Sequence, residues 1–334
     1  MTEPVSTAPS PTEAAGEPAG RTAGRPAPAV RVGVTLPMAD SDSPDGAAPR
    51  FATTLEYASA AEAGGLDSVW IFDHLLFRAP DQPPAGVREG WTTLAALGPL
   101  VPRIELGSLV LCSSFRNPGL LAKMAATLDD LSGGRVLLGL GSGWHDPEYQ
   151  AFGYPIDHRV GRFAEDLEIV ARLLKGEKVD FAGRWRQLHG AELLPRPTRR
   201  VPLLVAARRP RMLELTATWA DAWNDAWYGR LDDPRLVANL GALEDACAAV
   251  GRDPASIRRT VGVRLRDTGQ RGRDEHSTDA SSEGLADLLD GFADLGFDDV
   301  VVWSIPKSRE LLERIARAGA IHRDRAARHT MGPP

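Results

Sequence analysis

The 334-residue sequence predicts an α/β protein folded as a single (β/α)8 TIM barrel, on three observations. From residue 31 onward, apolar runs of strand length alternate with segments whose apolar residues recur at helical spacing. Eight such pairs within roughly 300 residues suit one barrel of this type. Residues 107–144 also predict a strand, a helix, a second strand and a glycine run, which indicates a parallel βαβ unit.

The strands and helices follow in order along the chain. The predicted strands are residues 32–36, 66–72, 104–111, 135–141, 202–206, 222–224, 260–265 and 299–304. The predicted helices are residues 51–63, 92–100, 118–131, 163–174, a segment from 211, then 236–250, 285–295 and 311–321. The third helix has the clearest start, because Asn117 is a favoured N-cap and Pro118 suits the first helical position.

Three segments lie outside this alternation. Residues 178–194 predict a small hairpin insertion, because residues 181–185 give a strand, a turn and a strand. Residues 1–28 are rich in Ala, Pro, Gly, Ser and Thr and lack the basic start and apolar stretch of a signal peptide, so we expect a disordered tail. The predicted organisation is therefore a tail over 1–28, one barrel domain over 29–325 and a flexible C-terminus over 326–334.

A doubly wound sheet is the alternative fold. It would carry a glycine-rich phosphate-binding turn after its first strand, but residues 34–38 contain no glycine. Residues 139–144 resemble such a turn, but Trp144 stands at the last glycine position. Asp146-Pro147 is also expected to prevent a helix from starting directly after it. These observations favour the barrel.

Composition excludes several classes of function. The net charge of −6 disfavours nucleic-acid binding, which needs a basic face. Cys112 and Cys247 match no metal or redox spacing and are typical of buried residues in a reducing compartment. No apolar run is long enough to span a bilayer. We therefore expect a cytoplasmic protein that acts without nucleic acid or membrane.

If the fold is a barrel, its chemistry lies where the strands end at their carboxyl side. The second strand ends in Asp73 and His74, and an imidazole is the usual proton carrier near neutral pH. The structural alternative is that His74 ends the strand while Asp73 begins a turn.

Aromatic residues are also abundant near the predicted strand ends. Trp144, Trp223 and Trp227, with Phe77 and Phe115 nearby, would suit a planar heterocycle. Trp223 and Trp227, taken alone, are better explained as packing between barrel and helices.

The fourth strand ends in Gly141, Ser142 and Gly143, where backbone amides could approach a ligand. Asp73, His74, His145 and Glu148 could be imagined as metal ligands. No His-x-x-x-His pair supports that idea, so no metal site is predicted. A nucleophilic serine is equally unsupported, because the Gly-x-Ser-x-Gly turn is missing.

Residues 115–144 are similar to the most specific block of the luciferase-like monooxygenase superfamily of flavin- and deazaflavin-dependent oxidoreductases. The similarity continues through residues 148–155, Arg159 and Arg162, and through residues 181–185 before Pro195. It extends from about residue 32 to 223 and more weakly to the C-terminus. The family is expected to share the predicted (β/α)8 barrel with an insertion.

The resemblance implies a set of site residues. His74 would lie beside the reactive ring carbon of the cofactor, and Asp73 would orient it. Leu109 and Val110 would form a non-prolyl cis peptide that supports the ring, and Trp144 would stand beside it. The other implied cofactor contacts are Gly141, Ser142, Gly143, Ala206, Ala207 and Arg208.

Two of these positions depart from the family pattern. Many members have two glycines after the fifth strand where this chain has Ala206 and Ala207. Either Arg208 or Arg209 supplies the charge to a phosphate instead, or both are solvated residues at the start of a helix. Trp144 stands where relatives that oxidise sugar phosphates have a glutamate.

The resemblance favours an oxidoreductase that moves hydride between coenzyme F420 and a small organic substrate. The alternative is a two-component monooxygenase that receives reduced FMN from a flavin reductase partner. A barrel that binds a flavin-like ligand without chemistry, and a metal-dependent hydrolase, are further alternatives. A homodimer is expected from the family, whereas the substrate is not identified by the loops around residues 78–89.

Overall fold

The computed structural model describes residues 29–43, 46–79, 83–267, 277–278 and 281–331. Eight parallel strands form a closed barrel, in which each strand pairs with the next and β8 pairs with β1. The strands are β1 Arg31–Thr35, β2 Ser68–Ile71, β3 Glu105–Ser108, β4 Val136–Gly141, β5 Leu203–Ala206, β6 Ala222–Tyr228, β7 Arg258–Arg266 and β8 Asp299–Ile305. The predicted fold is confirmed.

A helix follows each strand and packs on the outside of the barrel. The helices are α1 Phe51–Ala63, α2 Gly90–Leu97, α3 Pro118–Leu131, α4 Arg159–Leu174, α5 Pro210–Trp219, α6 Pro234–Ala249, α7 Ser282–Asp294 and α8 Arg309–Met331. The predicted start of α3 is confirmed, because the Asn117 side chain accepts hydrogen bonds from the amides of Gly119 and Leu120.

Several short strands lie outside the eight strands of the barrel. The predicted hairpin is present as antiparallel strands Val179–Ala182 and Gln187–Ala191. A two-residue ladder joins Leu76–Phe77 to Ala85–Gly86 between β2 and α2. The two-residue strand Leu111–Cys112 pairs in parallel with β4, and the two-residue strand Ser277–Thr278 pairs in parallel with β7.

The structure differs from the predictions at several element ends and has one helix that was not predicted. A short helix, Asp146–Phe152, does begin after the glycine run, because Pro147 lies in its first turn, where a missing N–H costs nothing. Strand β6 extends to Tyr228 instead of ending at residue 224. Helix α8 continues to Met331, so residues 326–331 are helical where a flexible C-terminus was expected. The predicted tail over 1–28 lies outside the described residues.

One indole fills much of the barrel interior. Trp70 on β2 is fully buried and contacts the neighbouring strands where they carry glycine. A Cβ at Gly33 would lie 2.6 Å from Trp70 Nε1, and one at Gly107 would lie 2.2 Å from Trp70 Cε3. The interior cluster is completed by Leu137, Leu204, Ala222 and Val301. The barrel is therefore a packed core, and a ligand can enter only at an end.

Charged residues occupy the N-terminal end of the barrel. Arg258 Nη2 lies 2.9 Å from Glu105 Oε1, and Arg31 Nη1 lies 3.2 Å from Glu105 Oε2. Arg258 also pairs with the buried Asp299. Burial disfavours the charged form of Glu105, but the two guanidinium groups still lower its pKa. This end is held by ion pairs between the starts of four strands.

Candidate active site

A cavity of about 520 Å³ opens at the C-terminal ends of the strands. This volume is within the range of cofactor and small-molecule sites, and most of the lining side chains are apolar or aromatic. The residues that line it are Phe72, Asp73, His74, Phe77, Leu109, Val110, Leu111, Cys112, Gly143, Trp144, Glu148, Ala206, Asn224, Ala226, Trp227, Arg264 and Trp303.

His74 is oriented by Glu148. Its Nδ1 lies 3.0 Å from Glu148 Oε1, and Glu148 Oε2 accepts a 2.9 Å hydrogen bond from the amide of Leu75. Glu148 is buried on the short helix after β4, and the His74 side chain is 13% exposed. Because a carboxylate only accepts, Nδ1 carries a hydrogen and the lone pair of a neutral imidazole is on Nε2. His74 can therefore take a proton at Nε2.

The expectation that Asp73 orients His74 is wrong. Asp73 Oδ2 accepts from the amide of Cys112 at 2.9 Å and from Arg116 Nη1 at 2.6 Å, while Asp73 Oδ1 accepts from Arg116 Nη2 at 2.9 Å. Arg116 also pairs with Glu89, the N-cap of α2. Neighbouring residues of an extended segment project to opposite sides, so adjacency in sequence did not bring the two side chains together. Asp73 ties the loop after β3 to β2.

Aromatic rings surround the His74 imidazole. The centroids of Phe77 and Trp144 lie 4.4 and 5.4 Å from that of His74, and the Phe72 centroid lies at 6.2 Å. The imidazole is thus enclosed by apolar faces. Trp144, however, is 67% exposed.

The far wall of the cavity is also aromatic. The Trp303 ring stacks on Phe72 with centroids 5.7 Å apart, and Trp227 meets Trp303 edge to face at 5.1 Å. The interpretation of Trp227 as packing is therefore wrong. The same interpretation is confirmed for Trp223, which is fully buried and stacked with Phe297.

The glycines at the end of β4 make room for the segment after β3. A Cβ at Gly139 would lie 1.9 Å from the Ser108 carbonyl oxygen, and one at Gly141 would lie 2.7 Å from Val110 Cγ2. One at Gly143, where φ is +77°, would lie 1.9 Å from the Tyr149 hydroxyl. The glycine run that predicted a ligand contact therefore also serves internal packing. Of the predicted Gly141, Ser142 and Gly143, only Gly143 is among the residues that line the cavity.

The third strand ends earlier than predicted because the chain changes course at Leu109. Strand β3 stops at Ser108, and the Leu109–Val110 peptide bond is cis, as the resemblance implies. The Ser108 hydroxyl donates to the Gly139 carbonyl at 3.0 Å and accepts from the Gly139 amide at 2.9 Å. Both Leu109 and Val110 line the cavity. A second non-prolyl cis bond, Ala226–Trp227, lies in β6, and both of its residues also line the cavity.

Cys112 is a neutral thiol in the lining of the cavity. It lies 3.0 Å from the Tyr149 hydroxyl, which donates to the Ser142 carbonyl, also at 3.0 Å. Burial raises the pKa of Cys112 to about 11, so the thiol stays protonated near neutral pH. This chain of contacts fixes the Ser142 backbone.

The predicted contacts after β5 divide between the cavity and the protein interior. Ala206 lines the cavity, while the carbonyl of Ala207 accepts a 2.7 Å hydrogen bond from Trp223 Nε1. Arg208 pairs through Nε with the buried Asp225, although its side chain remains 38% exposed. The structure therefore pairs Arg208 with Asp225, a partner that the sequence did not indicate.

His145 joins two loops at the edge of the cavity. The amide of Arg78 donates to His145 Nε2 at 3.1 Å, which requires an unprotonated nitrogen there. Burial lowers the pKa of His145, although the nearby Glu148 carboxylate opposes that effect. His145 is therefore neutral and holds the loop after β2 against the loop after β4.

Sequence reasoning assigned no site role to Arg264 or Trp303. Both line the cavity, and the guanidinium carbon of Arg264 lies 6.0 Å from the Trp303 ring centroid. The alternation of Thr260, Gly262 and Arg264 along β7 places them on one side of the strand and could have indicated Arg264. Glu148 was considered only as a metal ligand.

The described part of the chain offers neither a metal site nor a membrane span. There, no group of three or more His, Cys, Asp and Glu side chains is arranged to hold a metal ion. No helix within the described ranges is both long and apolar enough to cross a membrane.

This chain is similar to a number of curated proteins, of which two are described. An F420-dependent glucose-6-phosphate dehydrogenase from Amycolatopsis mediterranei is 36% identical over 218 residues, which cover 63% of this chain and 64% of that protein. An F420-dependent hydroxymycolic acid dehydrogenase from Mycobacterium tuberculosis is 32% identical over 210 residues, which cover 60% of this chain and 55% of that protein. The chain thus matches less than two thirds of the length of these relatives.

A solved structure is similar over more of the fold. An F420-dependent secondary alcohol dehydrogenase in complex with an F420-acetone adduct has a TM-score of 0.72 at 18% identity, over 88% of this chain and 99% of the other. At that identity the likeness shows a shared barrel fold. Residues 30–327 also match the family described as luciferase-like monooxygenase. Since this match covers the barrel from β1 into α8, the chain belongs to the luciferase-like monooxygenase family.

Proposed function

We propose that this protein is an oxidoreductase that uses coenzyme F420 to transfer hydride to or from a small organic substrate. The observation that carries the proposal is the His74–Glu148 pair at the edge of an aromatic-walled cavity. The names of the similar curated proteins, which are F420-dependent dehydrogenases, support the choice of cofactor.

The cavity fits a flat heterocycle. Leu109, Val110 and Ala206 offer apolar surface at its lining, and the rings of Trp227 and Trp303 stand to one side. These residues would hold the ring through apolar contact, as cofactor sites commonly do. Gly143 and Ser142 would hold the tail through backbone groups, and the exposed part of Arg208 would meet its phosphate.

When bound, the deazaflavin supplies a ring carbon that accepts or gives up hydride. His74 handles the accompanying proton: Nε2 takes it from a substrate hydroxyl in oxidation and returns it in reduction. Glu148 holds the imidazole in the required tautomer and stabilises its protonated form, as a carboxylate does behind a catalytic histidine. Phe72 and Phe77 exclude water beside the imidazole, which strengthens these interactions.

Cofactor titration tests this proposal. Purified protein is titrated with oxidised coenzyme F420 and, separately, with FMN, and binding is followed by fluorescence. We expect tight binding of the deazaflavin and weak binding of FMN. Tight FMN binding without deazaflavin binding would reject the proposal in favour of the two-component monooxygenase, which needs a flavin reductase partner.

A second measurement separates an enzyme from a binding protein. His74→Ala is expected to keep its affinity for coenzyme F420 and to lose turnover. Equal turnover in the variant would remove His74 from the mechanism. A homodimeric assembly, a cytoplasmic location and independence from nucleic acid stay predictions from the sequence.

A further inference from the structure

Trp144 is an unusual surface residue. Its side chain is 67% exposed, yet it lines the cavity and lies with its ring edge-on to His74 at 5.4 Å. An aromatic side chain that is exposed at the edge of a cavity offers an apolar face that a bound ligand can cover. Phe152, the comparably exposed aromatic at 52%, is not among the residues that line the cavity.

Three of the polar side chains that line the cavity, Asp73, Glu148 and Asn224, form hydrogen bonds within the protein, and the guanidinium of Arg264, which also lines it, lies over the Trp303 ring. Asp73 accepts from Arg116 and from the Cys112 amide. Glu148 accepts from His74 and from the Leu75 amide. The Asn224 amide nitrogen donates to Thr260, a buried residue of β7. A ligand with many hydroxyl groups would therefore leave several of them unpaired.

From these two observations we infer that the substrate is an aryl-substituted alcohol or the corresponding ketone, and that Trp144 selects it. The inference rests on the proposed function for the redox step. His74 meets the hydroxyl or carbonyl oxygen, and Trp144 and Phe77 cover the aryl group on either side of the imidazole. A sugar phosphate is rejected because each of its hydroxyl groups that leaves water without gaining a hydrogen bond in the cavity weakens the binding free energy.

The substrate, and not the cofactor, occupies the Trp144 face. The apolar residues suited to a cofactor ring, Leu109 and Val110, come from the segment after β3. Trp144 instead follows β4 at the outer edge, next to His145 and the loop after β2. Its neighbour is the imidazole that handles the substrate proton.

Binding measurements test the inference separately from catalysis. Acetophenone, 1-phenylethanol and glucose 6-phosphate are titrated calorimetrically into wild type, Trp144→Ala, Trp144→Phe and Phe152→Ala, each with and without coenzyme F420. We expect Trp144→Ala to weaken acetophenone binding about tenfold, a change that one lost aromatic contact can produce. Trp144→Phe should recover most of the affinity, and the control Phe152→Ala should match wild type.

The outcomes are distinct. Coenzyme affinity should stay within about twofold in every variant, because no cofactor contact is removed. A Trp144→Ala variant that loses coenzyme and acetophenone affinity equally would overturn the inference and assign Trp144 to the cofactor. Tighter binding of glucose 6-phosphate than of acetophenone would also overturn it. Failure to bind coenzyme F420 at all would refute the proposed function. The role of Trp144 would still be tested in that case, because the affinity for acetophenone is also compared between wild type and Trp144→Ala without the coenzyme.

Discussion

His74 Nδ1 and Glu148 Oε1 are 3.0 Å apart although 74 residues separate them in the chain. The contact depends on the short helix that begins at Asp146, because this helix carries Glu148 back over the end of β2. Glu148 also binds the amide of Leu75, so the carboxylate is fixed at both oxygens. An imidazole held in this way presents one defined nitrogen to a substrate.

Glu148→Gln should lower turnover without weakening cofactor binding. A glutamine can donate to Nδ1, which would favour the wrong tautomer, and it carries no charge to stabilise a protonated His74. We expect kcat to fall by roughly 10- to 100-fold, the effect typical of removing the partner that orients a metal-binding histidine. Steady-state kinetics over pH 5–9 measure this, with the exposed Glu214→Gln as control. An unchanged kcat would show that Glu148 does not position His74.

Asp73→Asn should instead lower stability. Asp73 is fully buried at its side chain and pairs bidentately with Arg116, so the substitution leaves a buried guanidinium without its main partner. Breaking a buried ion pair from one side costs about 3–5 kcal/mol. Urea denaturation of the variant and of the exposed control Asp232→Asn measures the loss. If Asp73→Asn kept wild-type stability but showed the fall in kcat expected for Glu148→Gln, the assignment of the two carboxylates would be reversed.

The barrel was predictable because its signals are local. Apolar runs, helical spacing and the Asn117-Pro118 start are properties of neighbouring residues, and the eight strands lie where those patterns indicated. Boundaries were less accurate where tertiary contacts extend an element. Strand β6, for example, continues to Tyr228 because it pairs with β7 as far as Val263.

The site was predicted in part. His74, Leu109, Val110, Gly143, Trp144 and Ala206 were all predicted and all line the cavity. The partners of the charged groups were not predictable, since Asp73 meets Arg116 and Arg208 meets Asp225 only after the barrel closes. The direction of a side chain at a strand end depends on local backbone geometry, which spacing along the chain does not specify.

Alkaline pH should destabilise the protein partly through Cys112. The thiol ionises near 9 when unfolded, whereas burial raises its pKa to about 11 in the folded protein. Between these values the unfolded chain binds fewer protons, so the free energy of unfolding falls as pH rises. A shift of this size corresponds to about 2–3 kcal/mol.

Cys112→Ser isolates this contribution because serine does not ionise in the range. We expect the stability of wild type relative to the variant to be constant below pH 9 and to fall between pH 9 and 11. Urea denaturation at pH 7, 8, 9, 10 and 11 gives the two curves. Parallel curves over the whole range would show that Cys112 is not buried as a neutral thiol.

Two glycine substitutions should have opposite effects. At Gly139 in β4, an added Cβ would lie 1.9 Å from the Ser108 carbonyl oxygen. This oxygen belongs to the backbone of β3, which cannot move away without disturbing the sheet. We expect Gly139→Ala to cost about 3 kcal/mol or more. At Gly241 in α6, nothing lies within 4 Å of the added Cβ, so Gly241→Ala should stabilise by about 0.5–1 kcal/mol through helix propensity. Urea denaturation of both variants and of wild type measures these changes in the free energy of unfolding. Because Ser108 precedes Leu109 at the cavity, only Gly139→Ala should also weaken coenzyme F420 binding. A Gly139→Ala protein as stable as wild type would contradict the close packing of β3 against β4.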